Sequence, residues 1–149
     1  MSELPFIDEH SLAVDAPREA AWEALLATVP AGFEPKASEA VARLLGCRPA
    51  RSTGPRPLEV GSTFPGFAVT EAQRPARLTL AGRHRFSIYR LEFAIDDAGS
   101  GRSRVRAGTW AAFPGPHGRA YRAAVIGTRG HVVVVRRMLS AVARRARTV

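Results

Sequence analysis

Polar and apolar positions along this chain follow two different periods. From Phe6 to Val14 the alternation predicts a first strand, which runs into Asp15-Ala16-Pro17, where Asp15 suits a helix cap and Pro17 the first turn. The period then lengthens. Ala21, Trp22, Leu25, Leu26 and Val29 recur every three or four residues, the single apolar stripe of a helix packed on a sheet, and Pro30-Ala31-Gly32 ends it. A second short helix is predicted over Lys36 to Leu45, with Ala37, Val41, Leu44 and Leu45 on one side and Gly46 as its stop. Arg48 to Pro57 is too rich in proline and glycine for regular structure and reads as an exposed loop with the makings of a mobile lid.

From Leu58 onward the punctuation is that of an antiparallel sheet, with breaks predicted at Pro65-Gly66, Arg74-Pro75, Gly82-Arg83 and Asp96 to Gly101. Between Arg85 and Ile95, the residues Tyr89, Leu91, Phe93 and Ile95 share one face, while Arg90 and Glu92 take the other. The hairpin partner, Arg102 to Phe113, sets Arg102, Arg104 and Arg106 against Val105, Ala107, Thr109, Ala111 and Phe113. Small residues on that apolar side fit two readings, a void for a ligand or the close approach of a helix. Trp110 is out of phase with Phe113, so it covers the outer face or a bulge turns it inward.

After Pro114-Gly115-Pro116 come a helical segment from His117 to Ile126, a kink at Gly127-Thr128-Arg129-Gly130, and a long helix from His131 to Arg147. Val132 to Val135 is β-branched and by itself prefers strand, but the stripe Val135, Met138, Leu139, Val142 and Ala146 continues from it, so helix is the reading. The predicted fold class is α+β: a curved antiparallel β-sheet wrapped around a long C-terminal α-helix, with two shorter helices after the first strand. One domain is expected over residues 1–149.

Composition narrows the picture. A chain of 149 residues buries roughly 68–70% of its unfolded surface, enough for a core. Met1 to Asp8 has no export pattern, and no apolar run approaches the roughly 20 residues that cross a bilayer, so a cytoplasmic protein without a transmembrane segment is expected. Cys47 is the only cysteine, which excludes an internal disulfide and a thiolate cluster. The net charge of +9 is carried almost wholly by arginine, Lys36 being the only lysine, a bias that GC-rich coding alone produces. Its distribution tells more than its size. No acidic residue follows Asp97, so the second half presents a one-signed surface that attracts anions without specifying which.

Ala16-Pro17 followed by Trp22, the curved-sheet hairpins and the closing helix together resemble the START-like, or SRPBCC, superfamily with its helix-grip, pollen-allergen-like fold. The stretch from Thr109-Trp110-Ala111-Ala112-Phe113-Pro114-Gly115 through Tyr121 to His131 is similar to bacterial members of unassigned function. The resemblance implies a deep pocket between sheet and C-terminal helix for a lipid, a polyketide or another hydrophobic molecule, and some relatives are polyketide cyclases or dehydratases. Residues 30–57 depart from the pattern, so the entrance to such a pocket is expected to differ.

No catalytic signature stands out. His10, His84, His117, His131, Tyr89, Tyr121 and Glu71 are the groups suited to proton transfer, and the histidines lack the spacing and carboxylate partners of a metal site. No cofactor and no metal are expected. His117 and Tyr121, four apart on a helix, share a face. The cavity candidates are Phe67, Tyr89, Leu91, Phe93, Thr109, Phe113, His117 and Tyr121. Three functional classes follow: a binder of a small hydrophobic ligand first, a cyclase- or dehydratase-like enzyme second, and a basic module for anionic membrane or nucleic acid third. The expected partner is a small hydrophobic molecule, with no specific nucleic acid; a homodimer is compatible with the sequence.

Overall fold

The computed structural model describes residues 4–31, 36–127 and 129–147, with the backbone alone for 36–39. Strand β1 (Phe6–Val14) leads into α1 (Arg18–Ala31) and α2 (Lys36–Leu45). Strands β2 (Thr63–Phe64), β3 (Phe67–Gln73), β4 (Arg77–His84), β5 (Ser87–Gly99) and β6 (Arg102–Ala112) follow, then α3 (Gly115–Arg122), a π-helical turn over Ala123–Gly127, and α4 (Gly130–Arg147). The strands form one antiparallel sheet in the order β1-β6-β5-β4-β3-β2, curved around α4, which packs on α1 and β1.

The sheet's inner face is read directly from the register. Leu91 pairs with Leu80 and Thr109, and Phe93 with Leu78 and Ala107, so β4, β5 and β6 bring their apolar positions to one side. Trp22 and Leu25 of α1 and Val135, Met138, Leu139 and Val142 of α4 close over them. Val105 and Ala107 are fully buried in this core, so here the small side chains of β6 admit helices rather than leave a void. The corner at Ala16-Pro17 is tied to the same sheet: the buried Ser103 hydroxyl donates to the Ala16 carbonyl at 2.9 Å.

Several local expectations change. The first helical hydrogen bond of α1 runs from the Ala21 N–H to the Pro17 carbonyl, which puts Pro17 at the cap position. Asp15 lies outside the helix and faces Arg102 at 3.6 Å. The predicted break at Gly82-Arg83 is absent, since β4 runs through both residues and turns at Arg85-Phe86. Gly46 does end α2, with φ +71° and paired bonds from Gly46 N–H to Arg43 and from Cys47 N–H to Ala42. On α2, however, Val41 and Leu44 are exposed, and among the described side chains Ala42 is the buried one. The side chain of Ala37, together with Gly32 and Thr128, lies outside the described residues.

The segment 48–57 is anchored rather than a free lid: Arg48 bridges Arg83, Thr53 bridges Thr63, and the Arg56 guanidinium donates to the Thr63 carbonyl at 2.8 Å. Trp110 settles on the outer face, edge-on to Phe6 and beneath the Arg90 guanidinium. Gly108 makes room for it, because a Cβ there would meet the indole at 2.7 Å. Among the described residues, no helix is long and apolar enough to cross a membrane.

Candidate functional site

The inner face changes character along its length. Around Phe93, Leu78 and Leu80 it is sealed, but toward α3 the rings become half-buried and form a continuous chain of contacts. From the fully buried Phe64, which meets Phe67 at 5.4 Å between centroids, the chain runs on as Phe67 meets Tyr89 edge-on at 5.2 Å and Tyr89 meets His84 at 5.7 Å. His84 then meets Tyr121 edge-on at 4.6 Å, and Tyr121 stacks on Phe86 at 5.6 Å and approaches Phe113 at 6.2 Å. Each such pair contributes about 0.5–1.5 kcal/mol beyond its buried area when well packed.

Four elements meet here for identifiable reasons. Tyr89 and Phe113 lie on the inward register of β5 and just past β6, and Phe67 opens β3. Tyr121 is placed by α3, which starts at Gly115 (φ +73°) with Pro116 in its first turn. Gly82 is directly opposite Tyr89, and its missing side chain lets the Tyr89 hydroxyl reach the Gly66 carbonyl, to which it donates at 2.5 Å.

Burial shifts the polar groups of this cluster away from their charged forms. Burial pushes the Tyr89 phenol well above its ordinary range, with the neighbouring Cys47 and Tyr121 adding to the effect. The Cys47 thiol is itself pushed up by burial, and so is the Tyr121 phenol. His84 moves the other way, down from 6.5, because burial disfavours the imidazolium. Its Nδ1 accepts the Phe86 N–H at 3.1 Å, which fixes the neutral tautomer with the proton on Nε2. One consequence is measurable. The unfolded imidazole takes up a proton before the folded one, so the contribution of His84 to stability is full above pH 6.5 and is lost as pH falls below it. Urea unfolding followed from pH 8 to pH 5 is expected to show a shallower acid-side decline for His84→Gln than for the wild type; equal slopes would mean the ring is solvated.

The sequence-derived cavity residues divide between two environments. Phe67, Tyr89, Phe113 and Tyr121 join the ring chain, and His117 touches its rim at Phe86 while remaining exposed. Leu91 and Phe93 belong to the sealed core, and Thr109 is buried with its hydroxyl unpartnered among the described residues. His84, Phe86 and Cys47 complete the cluster. In the sequence His84 is one of several scattered histidines, whereas its inward placement follows from β4 continuing past Gly82. Glu71 lies apart, accepting from Thr79 at 3.3 Å.

A second polar group sits at the seam between β1 and α4. Asp8 is shared by two histidines, its Oδ2 3.1 Å from His10 Nε2 and its Oδ1 3.1 Å from His131 Nε2. The fold thus supplies the carboxylate partner that linear spacing did not show. Among the described residues, no three His, Cys, Asp or Glu side chains are arranged to hold a metal ion.

Open grooves occur elsewhere on the surface, one along the outer side of α4 and one where the end of α1 meets Arg56 and Pro57. Neither opens between the sheet and α4, where the cavity had been expected.

No protein-family model matches the sequence, and no curated protein does. Solved structures match along nearly its whole length. The Zhui aromatase/cyclase from Streptomyces sp. R1128 is 15% identical, with 97% of this chain and 94% of that one covered and a TM-score of 0.58. Mll3558 from Rhizobium loti is 13% identical, with coverage of 97% and 99% and a TM-score of 0.57. Truncated norcoclaurine synthase from Thalictrum flavum is also 13% identical, with coverage of 97% and 96% and a TM-score of 0.55. At these identities the likeness concerns architecture: the chain has a helix-grip, SRPBCC-like fold.

Proposed function

We propose that this protein binds a small, flat, largely apolar molecule at the aromatic end of its concave face. The observation that carries the reading is the half-buried ring chain from Phe67 through Tyr89, His84 and Tyr121 to Phe113. Rings of this kind in a protein core are ordinarily sealed; here they are partly open and surround neutral hydrogen-bonding groups. The rings pack on one another, so binding inserts a flat molecule between them, with the His84 Nε2–H as a donor to a carbonyl or hydroxyl.

That chemistry suits an aromatic, polyketide-like compound better than an acyl chain, which gains little from stacking. Two proteins sharing the architecture are named as an aromatase/cyclase and a norcoclaurine synthase, which is consistent with aromatic guests in this fold. A cyclase- or dehydratase-like activity is a second reading, supported by the convergence of Tyr89 and Tyr121 on His84. Replacing His84, Tyr89 and Tyr121 together abolishes turnover on that reading.

Titration with the neutral fluorophore N-phenyl-1-naphthylamine tests the binding site without drawing on the protein's charge. Saturable binding is expected, weakened about tenfold by Tyr121→Ala or Phe67→Ala, the equivalent of one lost ring contact. Binding indifferent to both substitutions would overturn the assignment. Mass spectrometry of an organic extract of the purified protein then separates an aromatic guest from a lipid.

A further inference from the structure

The outer side of α4 carries a line of arginines on which the ligand reading makes no demand. Val133, Arg137, Ser140 and Arg144 follow one another at spacings of four, three and four residues, so they share one stripe, with Arg136 beside it. This stripe lies opposite Val135, Met138, Leu139, Val142 and Ala146, the residues that α4 buries, and it borders an open groove along the helix. Among the described residues, Arg136, Arg137 and Arg144 make no ion pair.

The rest of the surface shows that this is not simply a consequence of high arginine content. On the outer face of the sheet Arg106 is matched by Asp96 at 2.7 Å and Glu9 at 3.0 Å, and Arg90 by Glu92 at 3.2 Å. Arg106 in turn holds the Asp96 carboxyl below its ordinary range. Arg106 and Arg90 are thus paired with carboxylates in place, whereas α4 contains no acidic residue, so positive potential concentrates along one helix of about 27 Å.

Apolar residues accompany that charge. Val133 and Val134 are 52% and 51% exposed at the start of the helix, next to Arg136 and Arg137. A phosphodiester backbone has no use for them, but a bilayer surface accepts shallow apolar insertion together with cationic contact to its headgroups. We propose that the outer face of α4 docks on an anionic phospholipid membrane, the arginine stripe lying along the headgroups with the valines pressed toward the acyl boundary.

Co-sedimentation with vesicles tests this without any ligand at the aromatic end, so the outcome is independent of the ligand reading. At about 0.1 M salt, binding is expected to vesicles that are one-third phosphatidylglycerol and not to pure phosphatidylcholine, and it should weaken as salt rises. The double variant Arg137→Gln, Arg144→Gln is expected to lower partitioning about thirtyfold, roughly fivefold per arginine. Arg102→Gln with Arg104→Gln removes the same net charge from the sheet and should change it little. Equal losses in both double variants would reduce the effect to overall charge and overturn the docking face. So would equal binding to neutral vesicles, binding to neither, or retention by duplex DNA in the absence of vesicle binding.

Discussion

Phe93→Ala is expected to destabilise the protein by about 3–5 kcal/mol, the range for truncating a buried phenylalanine. The ring has no solvent exposure and sits between Leu78 and Ala107 in the middle of the inner face, with helices closing over the sheet. Neither the backbone of a central strand nor two anchored helices can collapse into the space, so the cavity term persists along with the lost transfer energy. In urea the midpoint should fall with little change in slope, and the melting temperature should drop by about 10 °C or more. Tyr121→Ala removes a ring of similar size at the half-exposed end, where about 1.5 kcal/mol or less is expected. This pair of variants separates core from site. A Phe93→Ala protein of nearly wild-type stability that no longer binds the naphthylamine probe would move the ligand chamber to the middle of the sheet.

The second large effect is expected at Gly82. A Cβ there would lie 2.0 Å from the Gly66 carbonyl oxygen and 2.9 Å from the Tyr89 ring and hydroxyl. The first of these is backbone, and the loop that carries it is held by the Gly66 N–H bond to the Pro49 carbonyl. Gly82→Ala must therefore push the turn at Pro65-Gly66 away and break the Tyr89–Gly66 hydrogen bond, for about 2–4 kcal/mol in all. Chemical denaturation gives the magnitude, and the near-ultraviolet dichroism of Tyr89 reports whether the ring chain has moved. Gly127 is the internal control, since among the described residues nothing lies within 4 Å of a Cβ there and its backbone is not left-handed. Gly127→Ala should be neutral or slightly stabilising. Comparable losses at both positions would mean that the close approach at Gly82 is not what the fold depends on.

Gly82 also shows where linear reading reaches its limit. Glycine followed by arginine looks like a turn, because glycine's usual role is conformational freedom. Here the residue is an ordinary strand position whose value is its lack of volume, and nothing local marks a carbonyl arriving from Gly66. The same mechanism hides His84: a strand that ends at Gly82 leaves the histidine two residues on with no inward face to occupy, whereas β4 runs on to His84. The histidines at 10 and 131 were likewise unreadable as a pair, since Asp8 joins them only where β1 meets the start of α4. Val41 and Leu44 failed differently. Their spacing correctly indicates a helix, but periodicity identifies a face without saying whether another element arrives to cover it.

Backbone geometry acts over a few residues, and the sequence alone was sufficient wherever that was the deciding influence. The switch between alternating and helical periods places the strands and helices. Gly46 ends α2 through a left-handed backbone, the Gly-rich turn closes β5 on β6, and the stripe on α4 overrides the strand preference of Val132 to Val135. From these elements the curved antiparallel sheet around a C-terminal helix follows. Tertiary structure decided which apolar positions are core and which form the aromatic site, because β5 and β6 carry the same inward pattern along their whole length. The approach of α1 and α4 seals that pattern at Phe93, whereas at Tyr89, on the side of α3, it stays half-buried. Burial then sets the chemistry, since desolvation by neighbours distant in sequence pushes the phenols of the ring chain up and the His84 imidazole down, each away from its charged form. It likewise took the folded arrangement of Glu9, Asp96 and Arg106 to show which arginines are neutralised and which are left facing outward on α4.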